Sequence, residues 1–571
     1  MKRILQTYWA AAFAACAAFA QYTSGIEGAV LDPTGAAIAN AKVLVTNEAT
    51  QVVRESMTNA SGYFRVSELA PGAYRVEVQM TGFQNWIQTG VQVDANQLRA
   101  VYPSLRVGEQ KAEVEVMATA ESIETGKSSV ATSITQKTVE DAPMLGRNIY
   151  AGVAFIAPGV TGAGKLFGGA TGSGSAGQDS FQTEPGFQIN SAGQRQENNE
   201  YQVDGSSVNG NSRDGITNLT PEPDTVQEVR VSAAAFTAER GHNSGALIEV
   251  YTKSGTNELH GTLSEFHTDN ALTSRTVFQS SVPVYRRNEY GFTAGGPAIK
   301  NRTFLFGSYY RLSSSASQTD VVAVETPQLL SYLKQNFPNN ISTRILSEAV
   351  PGAYPSANFL SVADVQSRTP GRAPLPANLP LALPVIGTAY INETLDRPAG
   401  QWNTRLDQYF RNYRDRVFFN YFNYFSKAQQ ANPRVIQRIT QPNYGMYGKA
   451  NWTHTFSPNL TNEASMTLVR VDGATPPTTD PSLPSVSVTG FQGFSQSQIG
   501  WVHANYNWHE VVSWMRGSHS LKFGADIDRQ HDLDNFTPSY ARPTFTFANV
   551  LDFALDAPYP DPSEVSQDVY A

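Results

Sequence analysis

The stretch that comes nearest to a nucleotide site is Gly159–Leu166, GVTGAGKL. It matches the phosphate loop GxxxxGK up to its last position, which must be Ser or Thr so that a hydroxyl can reach magnesium. Leu166 offers no hydroxyl, and no amphipathic helix follows, so nucleotide binding is rejected. The nearest approach to a zinc motif, His509-Glu510-Val511-Val512-Ser513, lacks the second histidine of HExxH. His260, His267, His503 and His519 are scattered, there is no GxSxG, and Lys253-Ser254-Gly255 reads as a turn. Carboxylates are plentiful, but none are paired for acid–base work. No catalytic, cofactor-binding or metal-ligating residue is assigned, and an enzyme is not the expected class.

What the sequence does carry is β-structure. Its 571 residues are enough for several domains. Charged residues are only 16%, aromatics reach 11%, and there are 44 glycines and 32 prolines, a mainly β composition. The net charge of −8 gives no basic footprint for nucleic acid. Residues 1–20 read as a secretory signal: Lys2 and Arg3, an apolar run Trp9–Phe19, and Ala18-Phe19-Ala20 before Gln21. The run is shorter than the ~20 residues a spanning helix needs. The single cysteine, Cys16, lies inside it; a lipidation site is the alternative, with Phe13-Ala14-Ala15 a poor lead-in. After cleavage no cysteine would remain for a disulfide or thiolate site. A membrane location would then require a closed β-barrel, since no other run is long enough to cross as a helix.

In sequence order, Gly25–Val107 shows about seven short strands separated by turn signals such as Asp32-Pro33-Thr34-Gly35 and Leu69–Tyr74 (LAPGAY). Ala41–Asn47 alternates in part as a half-buried strand does, and the whole reads as a small β-sandwich. Tyr63, Phe83 and Trp86 would stack on a sugar if exposed, and otherwise belong to a core or an interface. Lys111–Ala118, KAEVEVMA, reads as an isolated edge strand or linker. Residues 119–255 form a second unit. It has a short helix around Ser133–Gln136, a Gly/Ser-rich loop at Gly162–Gly177, and an Asp204-Gly205 corner after Asn198–Val203. Two extended runs, Val226–Val231 and Ala246–Val250, close it.

Past Asn257 the pattern changes. Lys449, Asn451, Thr453 and Thr455 share one strand face, with Met446, Gly448, Ala450 and Trp452 on the other. Ala464, Met466 and Leu468 alternate with Glu463, Ser465 and Thr467; Leu521, Phe523, Ala525 and Ile527 with Lys522, Gly524, Asp526 and Asp528. Phe304, Phe306, Tyr309, Tyr310, Phe418, Phe419, Tyr421 and Trp514 recur as membrane girdles would. Ser313 to about Gly400 reads as a long Pro-rich extracellular loop with one helix-like piece, Pro327–Phe337.

With these residues in hand, the sequence resembles TonB-dependent outer-membrane transporters of the Oar-like type. The specific matches are Thr225–Val231, Glu239-Arg240-Gly241, Thr252–Gly261 (TKSGTNELHG), Gly295-Gly296-Pro297 and Arg516–Gly524 (RGSHSLKFG). The resemblance implies a signal (1–20) and a carboxypeptidase regulatory-like sandwich of the prealbumin-like, carbohydrate-binding-like group (21–107). It implies a linker (108–118), an α+β plug (119–255) and an antiparallel outer-membrane β-barrel (256–571). In the linker, Glu113, Val114, Glu115 and Val116 become a candidate TonB box, which pairs with TonB by strand addition. Thr252, Lys253, Ser254, Gly255, Thr256 and Asn257 become the plug–barrel junction, with the first wall strand over Leu259–Phe266. The implied partners are TonB with its ExbB/ExbD-type energisers, outer-membrane lipid and an extracellular substrate, carbohydrate or peptide, in a Gram-negative bacterium. Barrels of this class close with about 22 strands around a plugged lumen. Only about nine candidates follow Asn257, so the barrel is expected to be incomplete and the sequence truncated at its C-terminus. The alternative is a surface or secreted carbohydrate-binding adhesin.

Overall fold

The computed structural model describes residues 24–557. Exceptions are 96, 109–112, 118–129, 143–146, 154–155, 162–165, 168–180, 182–185, 188, 192, 211–216, 235–242, 273, 275–281, 283, 369–373, 476–483, 495–498, 517–518 and 536–543. The expected signal with Cys16, half of the phosphate-loop look-alike, most of the Gly/Ser-rich loop, Glu239–Gly241 and the last residues of the sequence lie outside the described residues.

The first unit is a sandwich of two sheets. One has the order β4-β1-β7, from β1 (Gly25–Ala29), β4 (Tyr63–Ser67) and β7 (Leu98–Ala100). The other is β3-β2-β5-β6-β8, from β2 (Lys42–Asn47), β3 (Val53–Met57), β5 (Gly72–Gln79), β6 (Asn85–Val93) and β8 (Glu113–Met117). Alternate residues of the facing strands, among them Ile26, Val43, Val45, Phe64, Val76 and Val78, fill the space between the sheets. The Asp32 turn forms as its residues dictate: the carboxylate accepts from the N–H groups of Thr34 (2.8 Å) and Ala36 (2.9 Å), and Gly35 takes φ +86°. Trp86 and Phe83 are part of the core, and the Tyr63 hydroxyl donates to Glu27 at 2.6 Å.

The second unit is built on a five-stranded sheet, β15-β14-β17-β16-β9. Its members are β9 (Val130–Thr135), β14 (Glu200–Val203), β15 (Ser206–Ser207), β16 (Val226–Ala234) and β17 (Leu247–Thr252). Two short ribbons flank it, β10 (Val160–Thr161) with β13 (Asn190–Ser191) and β11 (Leu166–Phe167) with β12 (Gly186–Phe187). The expected helix near Ser133 starts later. Ser133–Thr135 ends β9, and Thr135 caps helix α1 (Gln136–Asp141) through its side chain; α2 (Ile149–Val153) follows. All six residues of β17 are buried, because the strand lies inside its sheet and both faces are covered.

The remainder is a ten-stranded sheet. Nine long strands run as antiparallel neighbours: β18 (His260–Asp269), β19 (Tyr285–Ile299), β20 (Thr303–Glu325), β22 (Pro384–Phe410), β23 (Asp415–Gln430), β24 (Ile439–Ser457), β25 (Leu460–Thr475), β27 (Ile499–Arg516) and β28 (His519–Asn535). Short β21 (Ala357–Ser361) pairs with β22. Connections at one end are tight (300–302, 411–414, 458–459), whereas most at the other are long. Inward positions such as Lys449, Asn451 and Thr453 are buried, and outward ones such as Trp402, Phe419 and Met466 are exposed. Two expectations need correcting. Phe304, Phe306, Tyr310 and Phe418 are not girdle residues; they point inward and are almost fully buried. The inward face meets protein, so aromatic side chains fill space there as they would in a core. Both ends of the supposed loop from Ser313 to Gly400 are also strand: β20 and β22 pair continuously from Thr303↔Gln408 to Glu325↔Ile386. At ~3.3 Å per residue the 27 residues of β22 span about 90 Å, far beyond an apolar band of about 25 Å. Past that band, over Ser313–Asp320, nearly every residue is polar, and the alternation that marks a membrane strand disappears.

The remaining insert folds as a cap at the long-connection end. Helices α3 (Pro327–Asn336), α4 (Ile341–Glu348) and α5 (Val362–Arg368) pack with β26 (Ser485–Val488), β29 (Thr544–Phe547) and α6 (Val550–Ala554). Leu329, Leu333, Leu346, Phe491, Phe494 and Phe553 are central to that core. Thr326 caps α3 by accepting from the Leu329 N–H (3.1 Å), with Pro327 at the first helical position.

Candidate functional site

The second unit rests against the inward face of the wall, and one apolar cluster runs across the contact. Val203, Val229, Ile248 and Val250 pack with Phe422, Tyr447, Val469 and Val471. Amid this lies a buried polar group centred on Asp204. The backbone turns there between β14 and β15, with Asp204 at φ +46° and Gly205 at φ +79°, a conformation that Asp, Asn and Gly tolerate. One carboxylate oxygen accepts from the Thr252 N–H (3.0 Å) and from Arg405 (3.3 Å). The other accepts from the Thr252 hydroxyl (2.8 Å) and from Asn420 Nδ2 (2.7 Å). Lys449 Nζ donates to the Asp204 carbonyl (2.7 Å) and to Ser206 Oγ (2.9 Å), and Ser206 shares a hydrogen bond with Thr467 (2.8 Å). Arg405 Nε also donates to Asp407 (2.8 Å), whose other oxygen accepts from Arg416 (2.7 Å). The Arg405 guanidinium lies 4.6 Å from the Phe418 ring centroid. Wall strands β22, β23, β24 and β25 thus all reach one turn of the inner unit.

A second polar contact involves Arg147, which pairs with Asp224 (3.0 Å) and with the buried Glu289 of β19 (3.0 Å) and covers the Phe266 ring at 3.9 Å. The Tyr310 hydroxyl donates to Asp224 (2.6 Å), and Gln401 exchanges hydrogen bonds with the backbone of Thr220 and Glu222. On the side away from the cap, Glu228 of β16 faces the sandwich. Its carboxylate accepts from the Ala95 N–H (2.8 Å) and the Ser133 hydroxyl, while Arg230 donates to the Ala95 carbonyl (2.7 Å). Burial holds the Glu228 carboxyl up at about 7, opposed by the hydrogen bonds from Ser133 and Ala95; nearby Asp94 raises it further and Arg230 lowers it. A carboxyl raised in the folded state stabilises that state fully below its unfolded pKa, and the contribution is lost as pH rises through about 7. Thermal unfolding is therefore expected at a higher temperature at pH 5 than at pH 8, after allowance for other groups. Glu228→Gln should flatten the difference, and an unchanged pH dependence in that variant contradicts the assignment.

The outer membrane beta barrel domain family matches residues 251–569, more than half of the sequence. The chain belongs to the outer membrane beta barrel domain family. Residues 25–106 match the carboxypeptidase regulatory-like domain. The protein is similar to the TonB-dependent transporter Oar of Myxococcus xanthus, 26% identical over 307 residues, which is 51% of this protein and 27% of Oar. Among solved structures it is similar to the outer membrane transporter YddB from Escherichia coli (12% identity, TM-score 0.47, 73% of this protein and 50% of that one). It is also similar to the ferric enterobactin receptor PfeA from Pseudomonas aeruginosa (12% identity, TM-score 0.41, 71% and 50%). The match thus spans about a quarter of the curated relative's length and half of each of these structures. This outer membrane barrel protein is placed in the outer membrane of a Gram-negative bacterium. Its tight turns then lie on the periplasmic side and its cap outside the cell.

Of the residues singled out from sequence, Glu113, Val114, Glu115 and Val116 fall in β8. There they pair in parallel with β6, in the register Asn85↔Glu113 to Gln88↔Val116. Thr252 ends β17 inside the Asp204 group. Lys253 pairs with Glu140 (2.9 Å), and its N–H donates to the Thr225 carbonyl (2.9 Å). Ser254 and Gly255 pass so close to the wall that a Cβ on Gly255 would come within 2.3 Å of the Leu305 carbonyl oxygen. The Thr256 hydroxyl donates to the Glu258 carbonyl (3.0 Å), and Asn257 exchanges hydrogen bonds with Asn301 (2.6 and 2.7 Å). Sequence reasoning missed Arg405, Asp407, Arg416 and Asn420. The available signal was phase: they share the inward face on which charged residues stand where a channel lining or a bound domain is required.

Proposed function

We propose that the protein is an energy-coupled outer-membrane receptor or transporter in which residues 119–255 are a plug that TonB moves. The observation that carries this reading is the buried polar group joining Asp204 and Thr252 to Arg405, Asn420 and Lys449. An inner unit held in a barrel for structure alone is served best by apolar packing, since buried ion pairs add little stability over well-packed hydrophobic residues. A unit that must let go and reseat is served by charges, because water entering the opened contact re-solvates both partners and lowers the cost of opening. In the same reading residues 1–20 are the signal, 108–118 the linker that presents Glu113–Val116 to TonB, and 256–571 the wall. TonB and its ExbB/ExbD-type energisers supply the force, and the cargo is a bulky extracellular compound, carbohydrate or peptide in class. Membrane fractionation with heat-modifiable gel migration tests the location. The protein is expected in the outer-membrane fraction with a shift on boiling. Recovery as a soluble protein from the medium would overturn the transporter in favour of an adhesin.

A further inference from the structure

We infer that the sandwich is a second closure of the barrel, a stopper seated on its periplasmic mouth. This follows only if the barrel is oriented as above, with its tight turns facing the periplasm. The β2–β3 hairpin reaches the rim at several places. The Ala49 carbonyl accepts from the Asn257 N–H (3.0 Å), where the wall begins. Val52 is buried against Phe304 and Tyr409, at the periplasmic ends of β20 and β22. Arg54 donates to the Tyr413 carbonyl (2.6 Å) in the 411–414 turn and to the Thr455 hydroxyl (2.8 Å) at the foot of β24. From the other sheet, Arg65 donates to Ser520 (3.2 Å) at the foot of β28.

These contacts run along the foot of the wall from β20 to β28, so the sandwich is seated along that whole arc of the rim instead of hanging from one strand. It also holds the inner unit, through Ala95 with Glu228 and Arg230. Between the three units lies a cavity of about 590 Å³, lined in part by Arg54, Glu140, Lys253, His260 and Arg416. A solute that passed a displaced plug would enter this cavity and still meet the sandwich. Phe83 and Trp86, which exposed would make the sandwich a sugar platform, are used in its core. The closing contacts lie on the face that the sandwich turns toward the barrel and the inner unit.

The test uses the complete protein in outer membranes, with susceptibility to vancomycin, which is too bulky for ordinary porins, as the readout. Val52→Asp with Arg54→Ala should undock the sandwich, and Arg405→Ala should loosen the inner unit. With two closures in series, each alone leaves the mouth largely sealed, and the combination is leakier than either. An extra opening of about tenfold corresponds to about 1.4 kcal/mol of lost contact. The reverse control is an Arg54→Cys/Thr455→Cys pair, which should give a cross-linked band on mild oxidation in a protein that retains its heat-modifiable shift. Arg405→Ala as leaky as the combination, or no cross-link in a heat-modifiable protein, would overturn the stopper. A cross-link that forms in a protein showing no TonB-dependent uptake after reduction would instead refute the transport reading and leave the stopper in place.

Discussion

Replacing Asp204 by alanine is expected to loosen the inner unit from the wall more than any other single change in that contact. Four donors lose an acceptor at once: the Thr252 N–H, the Thr252 hydroxyl, Asn420 and one arm of Arg405, the last two keeping only Thr252. All are buried, and Lys449 and Arg416 nearby would be left with less negative charge to face. Breaking a buried ion pair by removing one partner costs about 3–5 kcal/mol. Alanine also fits the left-handed backbone of residue 204 poorly, which adds about 1 kcal/mol. Asp204→Asn separates the two terms, since asparagine tolerates that conformation and keeps one acceptor oxygen while removing the charge. Hydrogen exchange at the Leu247–Thr252 amides is the measurement. Protection should fall strongly in Asp204→Ala and by a smaller step in Asp204→Asn, with the wall amides of β23 and β24 little changed. Equal protection in all three proteins would show that the apolar cluster alone holds the unit.

Arg434→Ala should have a comparable effect at the other end of the molecule. Its guanidinium has no solvent exposure and donates to Glu325 (2.6 Å), which is equally buried, and to the carbonyls of Ala349 (3.1 Å) and Gln492 (3.2 Å). It also lies over the Phe494 and Phe491 rings, at 4.4 and 5.4 Å. One side chain from the 431–438 loop therefore ties the end of β20 to the turn after α4 and to the loop following β26. Without it Glu325 is an unpaired buried charge, at a cost of about 3–5 kcal/mol. Lysine is a poor substitute, because a point charge cannot serve three acceptors in a fixed fork. Limited proteolysis should cut the 326–383 insert quickly in Arg434→Ala and leave the wall intact. The paired change Arg434→Leu/Glu325→Leu should regain much of the resistance, as apolar replacement of both partners commonly does. A cap equally resistant in Arg434→Ala would remove this residue from its role.

How legible this was depends on what each residue faces. The sandwich could be read because its strands alternate over a small core and its turns carry Asp, Pro and Gly where the backbone needs them, as at Asp32–Gly35. The wall could be read wherever one face met lipid and the other did not, as in β24 with Ala450 outward and Lys449 inward. It became illegible above the membrane, where Ser313–Asp320 is polar on both faces apart from Ala316 and mimics a loop while pairing fully with β22. The cap was hidden because its core is assembled from segments far apart in sequence, such as Leu346, Phe494 and Phe553. The Asp204 corner was visible as a turn, but the purpose of its carboxylate was not. Its partners come from residues 252, 405 and 420, and no local pattern links them.

The stretch Glu113–Met117 is where the proposed mechanism can be tested most directly. It sits on the edge of the sandwich sheet, next to β6, and it is where the proposed pull would be applied. Cysteine placed at Val114 or Val116, in outer membranes that contain TonB with a cysteine in its receptor-binding strand, reports strand addition as a disulfide adduct. An adduct is expected at these two positions and none at the sandwich position Arg75→Cys, on β5 in the interior of the same sheet. No adduct at any position from 113 to 117, with TonB present and the barrel heat-modifiable, would contradict energy coupling through this segment.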